Sequence, residues 1–229
     1  MRKIYQKAII MLSVACMGYA TPAFAADAIV KTNKAWLSGA THIYGRMTVS
    51  GITSSNIKEK GFCYSSVNQM PTVEDGTSKI YLSNQGEIYN ISQLKPATVY
   101  YIRAYVKKTN GDVVYGDPVK AITRPKGGVT YNINDGFPSD VLTRVQAAAK
   151  EAIDLWNEYT GIHGLHITIN YGAQTQTADC SYGGWMRIGP NASYQKTGTL
   201  LHEMLHAIGV GTHGTWQNSF LRSNTTSGY

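Results

Sequence analysis

The feature that most constrains this chain is the run Leu200-Leu201-His202-Glu203-Met204-Leu205-His206-Ala207-Ile208-Gly209. Apolar residues recur there at helical spacing, with Leu201, Leu205 and Ile208 in one row and Leu200, Met204 and Ala207 alongside. An α-helix with one face on a core is therefore expected. Gly209 stands where a left-handed residue closes a helix, and the helix is expected to begin between Ser193 and Thr199.

At 100° per residue, His202 and His206 lie one turn apart on one side of such a helix, with Glu203 beside them. Two imidazoles at that spacing can share a metal ion. A carboxylate adjacent to the first is poorly placed as a ligand but well placed to take a proton from a metal-bound water. Zinc lowers the pKa of such a water to about 7, so the pattern points to hydrolysis with Glu203 as general base. The plainer alternative is an amphipathic helix with two solvent-facing histidines. It explains the apolar rows but not the arrival of Glu, Gly and a further His together. A catalytic zinc takes three protein ligands. No Asp, Glu or Cys follows Glu203, which leaves His213 as the strong donor, reached through the turn Val210-Gly211-Thr212. His163 and His166 are rivals, but His166 alternates with Leu165 and Ile167 and reads as a strand residue. His42 reads as a surface residue of another domain.

This run resembles the motif of the metzincin zinc peptidases, H-E-x-x-H-x-x-G-x-x-H followed by a Met-turn. His202, Glu203, His206 and Gly209 match position by position. The sequence departs from the pattern in two places: Thr212 falls where the last His is expected and His213 comes one residue later, and no Met follows Met204. The resemblance implies a Zn2+ cofactor held by His202, His206 and His213, catalysis by Glu203, and a protein or peptide substrate. It also implies that Trp185, Met186, Arg187 and Ile188 form the edge strand beside the cleft, against which an extended substrate would pair; the alternative is an ordinary buried strand with Trp185 in the core. The zinc would stabilise the oxyanion; Tyr194 and Tyr229 are candidates for a second donor.

The rest of the chain divides by composition. Residues 1–25 read as a secretory signal, with Arg2, Lys3 and Lys7 ahead of the apolar run Ala8 to Ala20 and Ala23-Phe24-Ala25 as the cleavage site. Ser13-Val14-Ala15-Cys16 loosely resembles a lipid-attachment signal, so a lipid anchor is the alternative to free secretion. No other apolar run approaches the ~20 residues of a membrane span, and the mature chain is expected to be secreted or held at the cell surface. Without the three basic residues of the leader, 18 of the 21 remain against 14 acidic, a net +4. The charges are interspersed, which excludes the basic stripe of a nucleic-acid binder.

Residues 26–123 are rich in Val, Ile, Thr and Tyr, broken by Gly, Asn and Ser, and lack a helical period; an all-β sandwich is expected. Tyr100 to Lys107 is its clearest strand, followed by the hairpin signal Asn110-Gly111-Asp112. Leu94-x-Pro96-x-Thr98-x-Tyr100 resembles the tyrosine corner of fibronectin type III domains, and Gly61-Phe62-Cys63-Tyr64 and Val119 to Thr123 fit that fold. The resemblance implies a spacer or adhesive module. Residues 124–130 read as a linker on account of Pro125, Gly127 and Gly128. Residues 131–229 then read as an α+β, zincin-like metallopeptidase domain. It contains a long helix from Pro138 to Gly161 with Val141, Val145, Ala148, Ala152, Leu155 and Tyr159 on the core and Glu151, Asp154 and Glu158 in solvent. A strand from Leu165 to Tyr171, a polar loop through Cys180, the strand Trp185 to Ile188 and the motif helix follow. Cys63 and Cys180 fall in different domains, either bridging them or buried as separate thiols.

The function expected is that of an exported zinc metalloendopeptidase. The alternatives are a surface adhesion or glycan-binding protein with a structural or degenerate zinc site, and a zinc hydrolase of other bonds.

Overall fold

A computed structural model describes residues 27–75, 78–81 and 88–220. The expected signal segment, Cys16 and Tyr229 lie outside the described residues.

In the first half of the chain, short β-rich segments separated by turns pair into two antiparallel sheets. One has the order β1 (Ile29–Ser38), β2 (Ile43–Ser50), β5 (Ile88–Ile91). The other runs β4 (Ser78–Tyr81), β3 (Ile57–Ser65), β6 (Val99–Lys108), β7 (Val113–Tyr115), with β8 (Val119–Ile122) also pairing β6. Alternate residues point inward, so Ile43, Met47, Phe62, Tyr89, Ile91, Tyr100 and Ile102 fill the space between the sheets. The Phe62 and Tyr89 rings meet edge-on at 5.4 Å. Gly45 leaves room for the Phe62 ring, since a Cβ there would sit 3.0 Å from it. The tyrosine corner is formed: the Tyr100 hydroxyl accepts the Lys95 N–H at 3.0 Å. Facing outward from β6, Arg103 lies over the Tyr115 ring and donates to Gly116 O at 2.8 Å.

The second half is a four-stranded sheet with two helices on one face. The strand order is β11 (Ala178–Cys180), β12 (Trp185–Ile188), β10 (His163–Tyr171), β9 (Gly128–Ile133); β10 is parallel to both β9 and β12, and β11 runs antiparallel at the edge. Helices α1 (Ser139–Tyr159) and α2 (Thr197–Ala207) cover Ile167, Ile169, Met186 and Ile188. The opposite face is polar, with His166 bonded to Thr130 and Asn132 at 2.8 Å each; this satisfies both its ring nitrogens, as fits a strand residue.

Several expectations are corrected. The linker is shorter than 124–130, because β9 begins at Gly128 and pairs with His163; its glycines disguise a strand whose Val129 is buried in the core. On α1 the buried row passes from Ala152 to Ile153 and Trp156, leaving Leu155 and Tyr159 half-buried. Glu158 is not solvated and His42 is not a free surface residue. The Glu158 carboxylate accepts the Thr41 N–H (2.7 Å), the Thr41 hydroxyl and His42 Nδ1 (2.8 Å), while His42 Nε2 meets the Tyr159 hydroxyl at 2.9 Å. With Ala40 N–H on Glu158 O and Gly127 N–H on Asn157 O, these bonds fasten the sandwich to the end of α1. Cys63 and Cys180 are separate buried thiols, both pushed up to about 12 chiefly by burial. Among the described residues no helix is long and apolar enough to cross a membrane.

Candidate metal centre

Helix α2 enters the fold after a 3₁₀ turn, Ala192–Tyr194, opened by Asn191, whose side-chain oxygen accepts the Ser193 N–H. The buried Gln195 follows, donating to Gly189 O at 2.9 Å and accepting from Arg144 at 2.6 Å, which pins the entry to the helix. Of the two apolar rows, the core takes Leu200, Met204 and Ala207. Leu205 and Ile208 face outward, 41% and 39% exposed. That choice rotates His202 and His206 to the accessible flank and turns Glu203, between them and the core, inward to 6% exposure.

The two imidazoles stand edge to face with centroids 5.0 Å apart. His206 Nδ1 donates to Val210 O at 2.7 Å; a carbonyl can only accept, so the proton is on Nδ1 and the Nε2 lone pair is left for a ligand. Burial pushes the Glu203 carboxyl above the usual carboxylate range, with the neighbouring His206 and His202 pulling the other way. Glu203 and His202 line a cavity of about 380 Å³ with Thr177, Ala178, Tyr194, Gly198 and Thr199. Larger hollows lie elsewhere. The one of about 590 Å³ along α1 contains charges already paired with each other, His42 with Glu158 and Lys150 with Asp154.

Beyond α2 the chain turns through Gly209 (φ 106°) and Gly211 (φ 74°). The first must be Gly, since a Cβ would lie 2.8 Å from that of His213. Thr212, at the motif's last-His position, donates its hydroxyl at 2.6 Å to His206 O, which also accepts the Gly209 N–H at 3.0 Å at the helix end. His213 is not gathered with the histidine pair. Its ring packs on Tyr182 at 4.7 Å and its Nδ1 accepts the Thr215 N–H at 3.1 Å. Among the described residues no three His, Cys, Asp or Glu side chains form a group able to hold a metal. His202 and His206 thus fit zinc as two of three ligands, and the third is not brought to them in this arrangement.

Trp185 to Ile188 is not an edge strand. β12 is paired on both sides, with Met186 and Ile188 buried beneath the helices and Trp185 and Arg187 exposed on the opposite sheet face, away from the histidines. The edge beside the cavity is β11, which the sequence presents as part of a polar loop. Its three residues carry no alternation long enough to read. Tyr194 does line the cavity, and the buried Gln195 that fixes its turn had no signal beyond a polar residue in a loop.

No family model matches this sequence, and no curated protein matches it. Among solved structures the chain is similar to human fibronectin type III domains. A domain of human fibronectin type III domain containing protein 3 is 12% identical, covering 42% of this chain and 85% of that one (TM-score 0.33). The sixth such domain of that protein is 22% identical, covering 48% and 88% (TM-score 0.30). A domain of human contactin 1 is 18% identical, covering 51% and 96% (TM-score 0.32).

Proposed function

We propose that this chain is an exported zinc-dependent metallopeptidase with a fibronectin type III-like module ahead of its hydrolytic domain. One observation carries the reading. Glu203 is a buried carboxylate that accepts no hydrogen bond from the described residues, and it lies beside two imidazoles on the wall of a cavity. A carboxylate shielded from bulk solvent on a cavity wall, beside two potential metal ligands, is the placement a general base needs.

His202 and His206 are the proposed ligands, with His213 as the third. Zinc would supply Lewis acidity at the scissile carbonyl and an acidified water. Glu203 would take up a proton at its carboxylate and pass it to a leaving amine, and burial, which raises its pKa, favours the protonated form. The Val210 carbonyl keeps His206 in the tautomer whose Nε2 can bind. An extended peptide would pair with the free edge of β11 rather than with β12.

His213 bears on a second reading, a surface adhesion or glycan-binding protein with a degenerate zinc site. Its Nδ1 lone pair is taken by Thr215 N–H, so neutral His213 carries its proton on Nε2 and must change partner before binding metal there. Digestion of an unfolded protein substrate separates the two. Zinc-loaded wild type cleaves it, and Glu203→Gln at equal zinc content is slower by about 10² or more. Zinc binding without cleavage by wild type would favour the degenerate site.

A further inference from the structure

The sheet face turned away from α1 and α2 takes no part in the histidine centre. Register sets its side chains in rows: Thr168 pairs with both Trp185 and Asn132, and Arg187 pairs with both Asn170 and Asp179. Asn132 and Asn170 stand in strands, where Asn is disfavoured because its short polar side chain competes with the backbone ladder. Here the amides form one chain of bonds. His166 Nε2 donates to Asn132 Oδ1 at 2.8 Å, Asn132 to Asn134 at 2.6 Å, Asn134 to Asn170 at 2.8 Å, and Asn170 to Met186 O at 3.0 Å. Each amide is thereby fixed in orientation, and Asn132 and Asn134 each keep a second N–H for another partner. Beside them Trp185 is 48% exposed, and its indole N–H bonds no described residue. Arg187, tied to Asp179 at 2.9 Å, rests its guanidinium 5.2 Å from the Trp185 ring centroid and holds the ring in place.

We propose that this face binds an uncharged glycan chain, with Trp185 stacked on one sugar ring and the amides of Asn132 and Asn134 bonding hydroxyls beside it. A pyranose has a flat face of C–H groups whose partial positive charge suits the negative face of an indole, and a rim of hydroxyls that donate and accept. The sheet offers the matching arrangement of one rigid ring next to oriented donors. Its two opposite charges, Arg187 and Asp179, are spent on each other. That cancellation disfavours nucleic acids and other anionic polymers, which are held by unpaired cations. A peptide finds no backbone to pair with, since β10 and β12 are hydrogen-bonded on both sides. Because the binding groups are ordered in the free protein, little entropy is lost when a ligand settles on them. The histidines and Glu203 lie on the helix side of the sheet, so the glycan face works independently of the peptidase reading.

Calorimetric titration of residues 26–229 with hexasaccharides of glucose, mannose, xylose, galactose and N-acetylglucosamine is the test. At least one binds, and Trp185→Ala weakens it about 10-fold or more. Trp185→Phe, which keeps a ring, retains most of the affinity. Asn132→Ala breaks the chain of amides and weakens binding about threefold or more. Glu203→Gln binds the glycan as wild type does, and Trp185→Ala keeps the wild-type zinc content and circular dichroism. Absence of binding by every hexasaccharide overturns the proposal. So does undiminished binding by Trp185→Ala and Asn132→Ala, which would place the glycan elsewhere on the chain. Tighter binding of hexagalacturonate than of any neutral hexamer overturns the preference for an uncharged chain. Loss of peptide cleavage in folded, zinc-loaded Trp185→Ala, with no glycan bound by wild type, would assign the face to a peptide instead.

Discussion

The two halves of the molecule treat buried polar groups differently. In the sandwich, the buried hydroxyls of Thr32 and Thr123 are both spent on the backbone: Thr32 Oγ1 accepts Ala104 N–H at 2.9 Å, and Thr123 Oγ1 donates to Lys95 O at 2.7 Å. In the C-terminal domain, Gln195 is bonded in the same way, but Glu203 is buried and bonded to no described residue. Buried hydroxyls bonded to the backbone serve the fold. A carboxylate shielded from solvent yet lining a cavity beside two imidazoles is placed where a ligand or a reaction can use it.

The strongest way to break this contrast is to damage the sandwich and watch the histidine pair. Phe62→Ala removes the ring beneath Gly45 and against Tyr89, and should cost about 3–5 kcal/mol in denaturant unfolding of the sandwich. If the halves differ in role as argued, zinc affinity measured below the unfolding transition stays at its wild-type value. Zinc lost from the folded variant would make the sandwich part of the centre.

A smaller effect is expected where the halves meet. Glu158→Gln replaces the carboxylate that accepts from Thr41 and meets His42, with the Glu158 and His42 side chains less than a fifth exposed. A loss of about 1.5–3 kcal/mol is expected, with the single unfolding transition separating into two. An unchanged single transition would mean that the backbone bond from Ala40 N–H to Glu158 O and the contact of His42 with Tyr159 suffice.

The smallest effect concerns pH. Because burial raises the folded-state pKa of Glu203, the folded metal-free protein holds a proton the unfolded chain has already released, so stability falls as pH rises from the ordinary carboxylate range through that raised value. Metal-free Glu203→Gln should lack this decline. Parallel curves for the two proteins, followed by thermal unfolding at several pH values, would show that Glu203 is not desolvated.

Local pattern made much of this fold legible. Strand β12 lies where the sequence places it, α1 and α2 begin within the expected windows, and Tyr100 makes its corner bond. Cross-chain pairing hid the rest. The three residues of β11 acquire meaning only from the neighbour they pair with, and β9 hides its buried Val129 behind two glycines. Both rows of α2 are apolar, and the row that is buried is not the more apolar one, so only the sheet beneath decides that Met204 and not Leu205 is buried. Glu158 and His42 lie 116 positions apart, and a solvated reading of each is the natural one until the domains are brought together. At the centre, spacing placed His202, Glu203 and His206 together. It carried no information on the Thr215 bond that holds His213 or on the Thr212 hydroxyl that caps the helix.

The account stands on His202 and His206 being metal ligands, and zinc content after reloading and exhaustive dialysis tests this most directly. Wild type should retain about one zinc per chain and His202→Ala essentially none, with both folded by circular dichroism. A wild type that cannot be loaded, or a His202→Ala protein that loads equally, would contradict it.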